Sequence, residues 1–399
     1  MDFSHIPDDA EAMAFRTEVT AFLTEHLTDD IRTQEFTRGV PHHEQFHRAL
    51  AAKGWVLPDW PLSEGGAGLN PVLCRILADE LEAARAPYVT RSTTVMVAEV
   101  VRRWGSDDLK AEVLPKVAAG TVRFALGYTE PDGGSDLAAA RTRLTRSEHG
   151  WTIDGAKMFM TSALDAQFCL LLARSNPTVR KGFTTILAPL DAPGVEIFPL
   201  QTLGTEPTNA VFFRGVEVAD RYRLGAVDDG WTVVSQPLAT EHGDVDEGPG
   251  RLEEINAPQG ASYVMDMRRL YEHAQRWAAA ARPDGTRPID DLETRLQLGR
   301  LATDIEICRN TPGPMARVLA SELLIERAAA MLDHVGSRAL ISYGADGACE
   351  YGVFEWSHRF AQATAIYGGT TDVIRNIIAE RDLGLPRFAR SALMTTEAR

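Results

Sequence analysis

The stretch Phe124-Ala125-Leu126-Gly127-Tyr128-Thr129-Glu130-Pro131-Asp132-Gly133-Gly134-Ser135-Asp136 decides how the rest of the chain is read. Its apolar first half predicts a strand ending at Tyr128. The glycines that follow let the backbone approach a ligand closely, and Thr129 and Ser135 bring hydroxyls as well as N–H groups. Such a loop can hold the polar edge of a flat ring and a phosphate. The same Gly, Asp and Ser composition also suits a plain surface turn, so the surroundings have to decide.

On the N-terminal side the pattern is helical. Ala12, Phe15, Val19, Phe22 and Leu23 fall at helical spacing, and Phe46 to Ala52 and Val72 to Ala84 are further periodic stretches. Breakers separate them, in Gly54-Trp55-Val56-Leu57-Pro58 and Gly65-Gly66-Ala67-Gly68. On the C-terminal side short strands are expected. Trp151 to Gly155 reads as a strand ending in a turn, and Phe168 to Leu172, Phe183 to Pro189 and Val211 to Val216 follow. Helical periodicity then returns over Leu292 to Arg309 and Met315 to Val335, interrupted by a glycine- and proline-bearing segment, 243–262. The expectation is an α+β chain in three blocks: a helical domain over 1–122, a β-barrel domain over 123–228 and a helical bundle over 229–399. That order creates interdomain crevices, where ligands tend to bind.

Bulk properties narrow the partners. The 399 residues exceed one ordinary core, and the net charge of −15 argues against nucleic acid, whose phosphates need clustered Lys and Arg. Cys74, Cys169, Cys308 and Cys349 stand apart, so no CxxC metal or redox pair exists. Cys169 lies in an apolar run and reads as a buried small hydrophobe. The cysteine usage, an acidic polar N-terminus and the lack of a long apolar run fit a cytoplasmic protein.

Two further motifs could carry chemistry. In Gly155-Ala156-Lys157-Met158-Phe159-Met160-Thr161-Ser162, Phe159 can stack on a ring and Thr161 can hydrogen-bond to a ring nitrogen; an ordinary two-faced strand is the plainer reading. In Tyr367-Gly368-Gly369-Thr370-Thr371-Asp372, a glycine pair precedes a helix that Thr370 or Thr371 could cap. A helix start after glycines can hold an anion or a carbonyl, and equally can be only a capped helix.

Taken in order, these motifs resemble the acyl-CoA dehydrogenase family, as do Trp60-Pro61…Gly65-Gly66 and Gly105-Ser106…Lys110…Leu114-Pro115 ahead of the β-domain. The resemblance implies a helical domain, a central β-domain and a C-terminal four-helix bundle, with FAD between the last two and reaching a neighbouring subunit. It implies that Leu126, Tyr128 and Thr129 meet the flavin ring, and that Gly134 and Ser135 meet its polar edge, the pyrophosphate or the substrate. Phe159 stands where the family often has Trp, Thr161 should lie near flavin N5, and Thr370 and Asp372 match positions at the nucleotide part. The implied reaction is α,β-dehydrogenation of an acyl-CoA, with electrons passed to an electron-transfer flavoprotein.

One departure bears on mechanism. Many members carry their base as the glutamate of Tyr-Glu-Gly-Thr, and that position here is Gly368. Gly368 keeps a backbone N–H for the thioester carbonyl and cannot take a proton. Isovaleryl-CoA and long-chain members place the glutamate early in the first long helix after the β-domain, which matches Glu241, with Asp244, Asp246 and Glu247 as reserves. The Arg that usually follows that glutamate is His242, and the Arg-x-x-Phe-Gly motif is not recognisable around Arg282-Pro283-Asp284-Gly285. Assembly as a homo-oligomer or a heterotetramer, as in actinobacterial dehydrogenases for sterol side chains, thus stays open. So do an oxidase, N-hydroxylase or carrier-protein-linked activity, and a non-catalytic subunit.

Overall fold

The computed structural model describes residues 9–38, 42–87, 89–179, 182–241, 259–311 and 313–386. Helices α1 (Ala10–His26), α2 (Asp29–Arg38), α3 (Glu44–Ala52), α4 (Pro71–Ala83), α5 (Val89–Trp104) and α6 (Asp107–Ala118) form the first block. Their starts are written locally. Asp9 accepts the Ala12 N–H at 2.8 Å, Asn70 caps α4 ahead of Pro71, and Ser106 caps α6. The buried stripe of α1 is Ala12, Phe15, Val19, Phe22 and Leu23, the five positions its periodicity marks.

Strands β1 (Phe124–Gly127), β2 (Arg143–Ser147), β3 (Gly150–Thr161), β4 (Phe168–Arg174), β5 (Phe183–Pro189), β6 (Val195–Leu200), β7 (Thr208–Ala219) and β8 (Arg223–Leu224) make one sheet. Its order is β6-β7-β3-β2-β4-β5-β8, with β1 added in parallel to β4. The sheet curls so that β3 and β7 share a core with β4 and β5. The continuous apolar run of β4 follows from burial on both faces. Cys169, Leu171 and Ala173 point into that inner core, and Leu170 and Leu172 into the core shared with the N-terminal helices.

The turn expected at Gly155 is absent, because β3 runs straight through it. Gly155 is still demanded there. Its φ is +152°, and a Cβ would lie 2.6 Å from the Thr142 hydroxyl oxygen. The glycine lets two strands approach closely, which a sequence pattern cannot tell from a chain reversal.

Helix α7 (Gly230–Glu241) leaves the sheet, and α8 (Gln259–Ala279), α9 (Leu292–Arg309), α10 (Gly313–Val335) and α11 (Val353–Thr364) pack as a four-helix bundle. Short α12 (Thr371–Ile377) closes it. Much of the 243–262 segment, including the reserve carboxylates Asp244, Asp246 and Glu247, lies outside the described residues, and α8 begins at Gln259 within it. Among the described residues no helix is long and apolar enough to cross a membrane.

Candidate active site

A buried ion pair builds the first wall of the site. Lys157 on β3 is fully buried and its Nζ donates to Glu130 Oε1 at 2.8 Å and to the Tyr128 carbonyl at 3.1 Å. The other Glu130 oxygen accepts the Arg141 N–H at 2.6 Å, and Oε1 also accepts the Thr142 N–H at 2.9 Å. Burial works to raise the Glu130 pKa, but the Lys157 ammonium and these donors prevail and hold it below the usual carboxylate value. The Met158 N–H donates to the Thr129 carbonyl at 2.9 Å. The loop after β1 is therefore locked to the middle of β3 from both sides.

Phe159 and Thr161 follow at a bulge, where the β3–β7 register shifts between Lys157 and Met160. Phe159 has φ +57° and is 60% exposed. A left-handed aromatic residue is strained, and this one presents its apolar ring outward. Thr161 is half-buried and pairs across the ladder with Thr208, whose buried hydroxyl finds no hydrogen-bond partner among the described residues. Around them, Leu126 is half-buried, Tyr128 buried and Ser135 exposed. A Cβ on Gly134 would touch Thr129 at 3.2 Å. An outward ring, an unsatisfied hydroxyl and a glycine loop pinned beside them fit a flat, hydrogen-bonding cofactor such as a flavin. Among the described residues no His, Cys, Asp and Glu group could hold a metal.

The C-terminal bundle supplies the facing wall through the loop 201–207, which sequence reasoning did not single out. Arg359 Nη1 donates to the Leu203 carbonyl at 2.6 Å, and a Cβ on Gly204 would lie 3.1 Å from the Phe360 Cα. The Ser162 N–H donates to the Pro207 carbonyl at 2.9 Å, joining this loop to the end of β3. Glu206 sits in it with its pKa raised by burial, and one of its carboxylate oxygens is buried with no partner among the described residues. Helix α11 then leads into Tyr367-Gly368-Gly369-Thr370. Both glycines are left-handed, at φ +63° and +85°. The N–H groups of Gly368, Gly369 and Thr370 find no acceptor among the described residues.

The remaining positions are placed less closely. The Thr370 hydroxyl accepts the Val373 N–H at 3.2 Å and caps α12, so that oxygen is already engaged. Asp372 is exposed in the first turn of the same helix. Glu241 is the last residue of α7, and its side chain lies outside the described residues. The Phe124–Asp136 loop and the Phe159 strand therefore meet directly, and the 201–207 loop links the end of β3 to α11, the helix that precedes the Gly368 turn.

Comparison with known proteins agrees with this layout. Family models match in chain order: acyl-CoA dehydrogenase N-terminal domain over 9–121, middle domain over 125–216 and C-terminal domain over 254–383. The acyl-CoA dehydrogenase IpdE1 of Mycolicibacterium smegmatis is 31% identical, over 94% of this chain and 98% of that protein. A crystal structure of the ChsE4–ChsE5 complex from Mycobacterium tuberculosis matches with a TM-score of 0.82 at 26% identity, covering 97% of this chain and 100% of that one. The Tcur3481–Tcur3483 steroid ACAD matches with a TM-score of 0.82 at 27% identity, covering 96% of this chain and 100% of that one. The chain belongs to the acyl-CoA dehydrogenase family and is an FAD-dependent oxidoreductase.

Proposed function

We propose that the chain dehydrogenates the α,β bond of an acyl-CoA whose acyl group is bulky, of the steroid or branched class. The observation that carries this reading is the Gly368–Gly369 turn, whose successive N–H groups find no acceptor among the described residues and which follows the helix packed on the 201–207 loop. Fixed N–H dipoles aimed at a thioester oxygen lower the cost of forming an enolate there. The Gly368 N–H is the donor for that oxygen. Glu241 takes the α-proton, and the missing side chain at 368 leaves room for it. A glutamate in a dry crevice has a raised pKa, which suits a base working near neutral pH. FAD held there would supply the two-electron acceptor for the β-hydride. Phe159 would support its ring, Leu126, Tyr128, Thr129 and Thr161 would border it, and Gly134 and Ser135 would meet its polar edge. Thr370 and Asp372 lie toward the nucleotide part, and an electron-transfer flavoprotein takes the electrons.

The steroid class is supported by the match to the steroid ACAD. One matched structure is the ChsE4–ChsE5 complex, and the other carries a double name, Tcur3481–Tcur3483. This favours a second reading, in which the chain works as one subunit of a hetero-oligomer. The test is the visible spectrum of the purified chain during anaerobic addition of an acyl-CoA panel that includes steroid side-chain thioesters. Bleaching of the flavin is expected, and Glu241→Gln should slow it by about 10²–10⁴-fold. A flavin that no thioester bleaches would sink the dehydrogenase reading. A chain that holds flavin only with a second subunit would establish the other.

A further inference from the structure

We propose that Arg317 is the positioning residue of the Gly368 turn: it holds two carbonyls and thereby aims the N–H groups that bind the thioester oxygen. The proposal deepens the dehydrogenase reading and rests on it.

Arg317 lies on α10 and is fully buried. Its Nη2 donates to the Tyr367 carbonyl at 2.6 Å and reaches the Gly369 carbonyl at 3.4 Å. Its Cζ stands 4.8 Å from the ring centroid of buried Tyr263. Nε and Nη1 are buried and find no hydrogen-bond partner among the described residues. Among the described residues no carboxylate pairs with this buried guanidinium, and an unpaired buried charge is costly. The cation–π contact with Tyr263 offsets only part of that. Packing alone gives no reason for an arginine here, since Ala320, Ser321, Leu324, Ala328 and Met331 complete the same buried stripe with small or apolar groups.

Peptide geometry supplies the reason. A trans peptide is planar, and its C=O and N–H point in opposite directions. The described residues contain no cis bond. The Tyr367 carbonyl shares a plane with the Gly368 N–H, and the Gly369 carbonyl with the Thr370 N–H. Turning both carbonyls toward Arg317 turns both N–H groups away from it. These are among the N–H groups that find no acceptor among the described residues. Left-handed glycines have broad conformational freedom, so without a clamp the two planes could rotate. The charge on Arg317 also polarises the Tyr367–Gly368 amide, which makes its N–H a stronger donor. Arg317 touches neither substrate nor cofactor in this account; it acts through the peptide planes.

The test uses Arg317→Met and Arg317→Lys in the holoenzyme, with a 3-thia-acyl-CoA as probe. That thioester has acidic α-protons and no β-hydrogen to lose, so α-proton exchange into deuterated water reads enolate formation without flavin reduction. Arg317→Met should retain FAD, keep KM within about threefold, and slow both α-exchange and flavin bleaching by about 10- to 100-fold. Arg317→Lys, which can reach one carbonyl, should fall between. In the wild type, amide hydrogen exchange over 365–371 should slow when the thioester binds. Arg317→Met within about twofold of wild type on both rates would overturn the proposal, as would absence of that protection. If both variants lose FAD, the wild-type protection decides alone. Wild-type protein that neither exchanges α-protons nor bleaches with any thioester would remove the dehydrogenase reading itself, a different failure from an indifferent variant.

Discussion

Replacing Lys157 with Met should cost about 3 kcal/mol of stability, roughly a hundredfold in the folding equilibrium, and loosen the loop after β1. The size follows from the site. Lys157 is fully buried and Glu130 nearly so, 2.8 Å apart, so removing the cation leaves a buried carboxylate unpaired. Breaking such pairs costs about 3–5 kcal/mol. The lower end applies because the Arg141 and Thr142 N–H groups still donate to Glu130. Adding Glu130→Gln to Lys157→Met should recover about 1–2 kcal/mol, since a neutral amide is cheaper to bury than an orphan charge. The pH dependence has a definite sign. Glu130 has its folded pKa depressed, so its contribution is full above the unfolded carboxyl value, near 4.3, and lost as pH falls through the folded value. In Lys157→Met the same buried carboxyl lacks its cation, so burial raises its folded pKa and the variant loses stability as pH climbs above about 4.3; the gap from wild type should widen between about pH 5 and pH 7. Urea unfolding followed by tryptophan fluorescence at pH 5 and pH 7, with FAD content of the purified variants, measures both effects. A single variant within about 1 kcal/mol of wild type at pH 7, or a double variant as costly as the two singles added, would refute the reasoning.

Other outcomes follow from strain and burial. Phe159→Gly removes an aromatic residue from φ +57°, so the FAD-free protein should gain about 0.5–1 kcal/mol while FAD binding weakens about tenfold through lost ring contact; equal FAD affinity in a titration would show that the ring does not meet the cofactor. Glu82, on α4, is pushed up to about 8, first by burial and then by Asp266 on α8. Its raised folded pKa gives stability that is full below about 4.3 and lost as pH rises toward 8. Glu82→Gln should flatten that decline and leave the protein on the order of 1–2 kcal/mol more stable than wild type at pH 8; parallel stability curves for the two proteins from pH 5 to 8 would argue against it.

Short-range signals were the legible part of the site. The left-handed glycines of 368–369, the close approach of Gly134 to Thr129, the exposed apolar ring at 159 and the threonine cap at 370 each follow from a local backbone or surface preference. Arg317 was less visible, although it is the charged residue in the buried stripe of α10. Helical phase would have flagged that charge, but not the carbonyls 50 and 52 positions away that it holds. Glu206 and the 201–207 loop carried no motif at all, because their importance comes from packing against α11.

The sequence by itself determined the order of elements and the places where the chain must turn, since helical and strand periodicity and glycine's freedom act over a few residues. Only the tertiary structure decided that Gly155 lies within a strand pressed against Thr142, that β1 joins β4 in parallel, and that Lys157 meets Glu130 27 residues away. Those outcomes depend on which groups lose their water together. Desolvation is a property of the assembled core, and no local stretch of the chain encodes it alone.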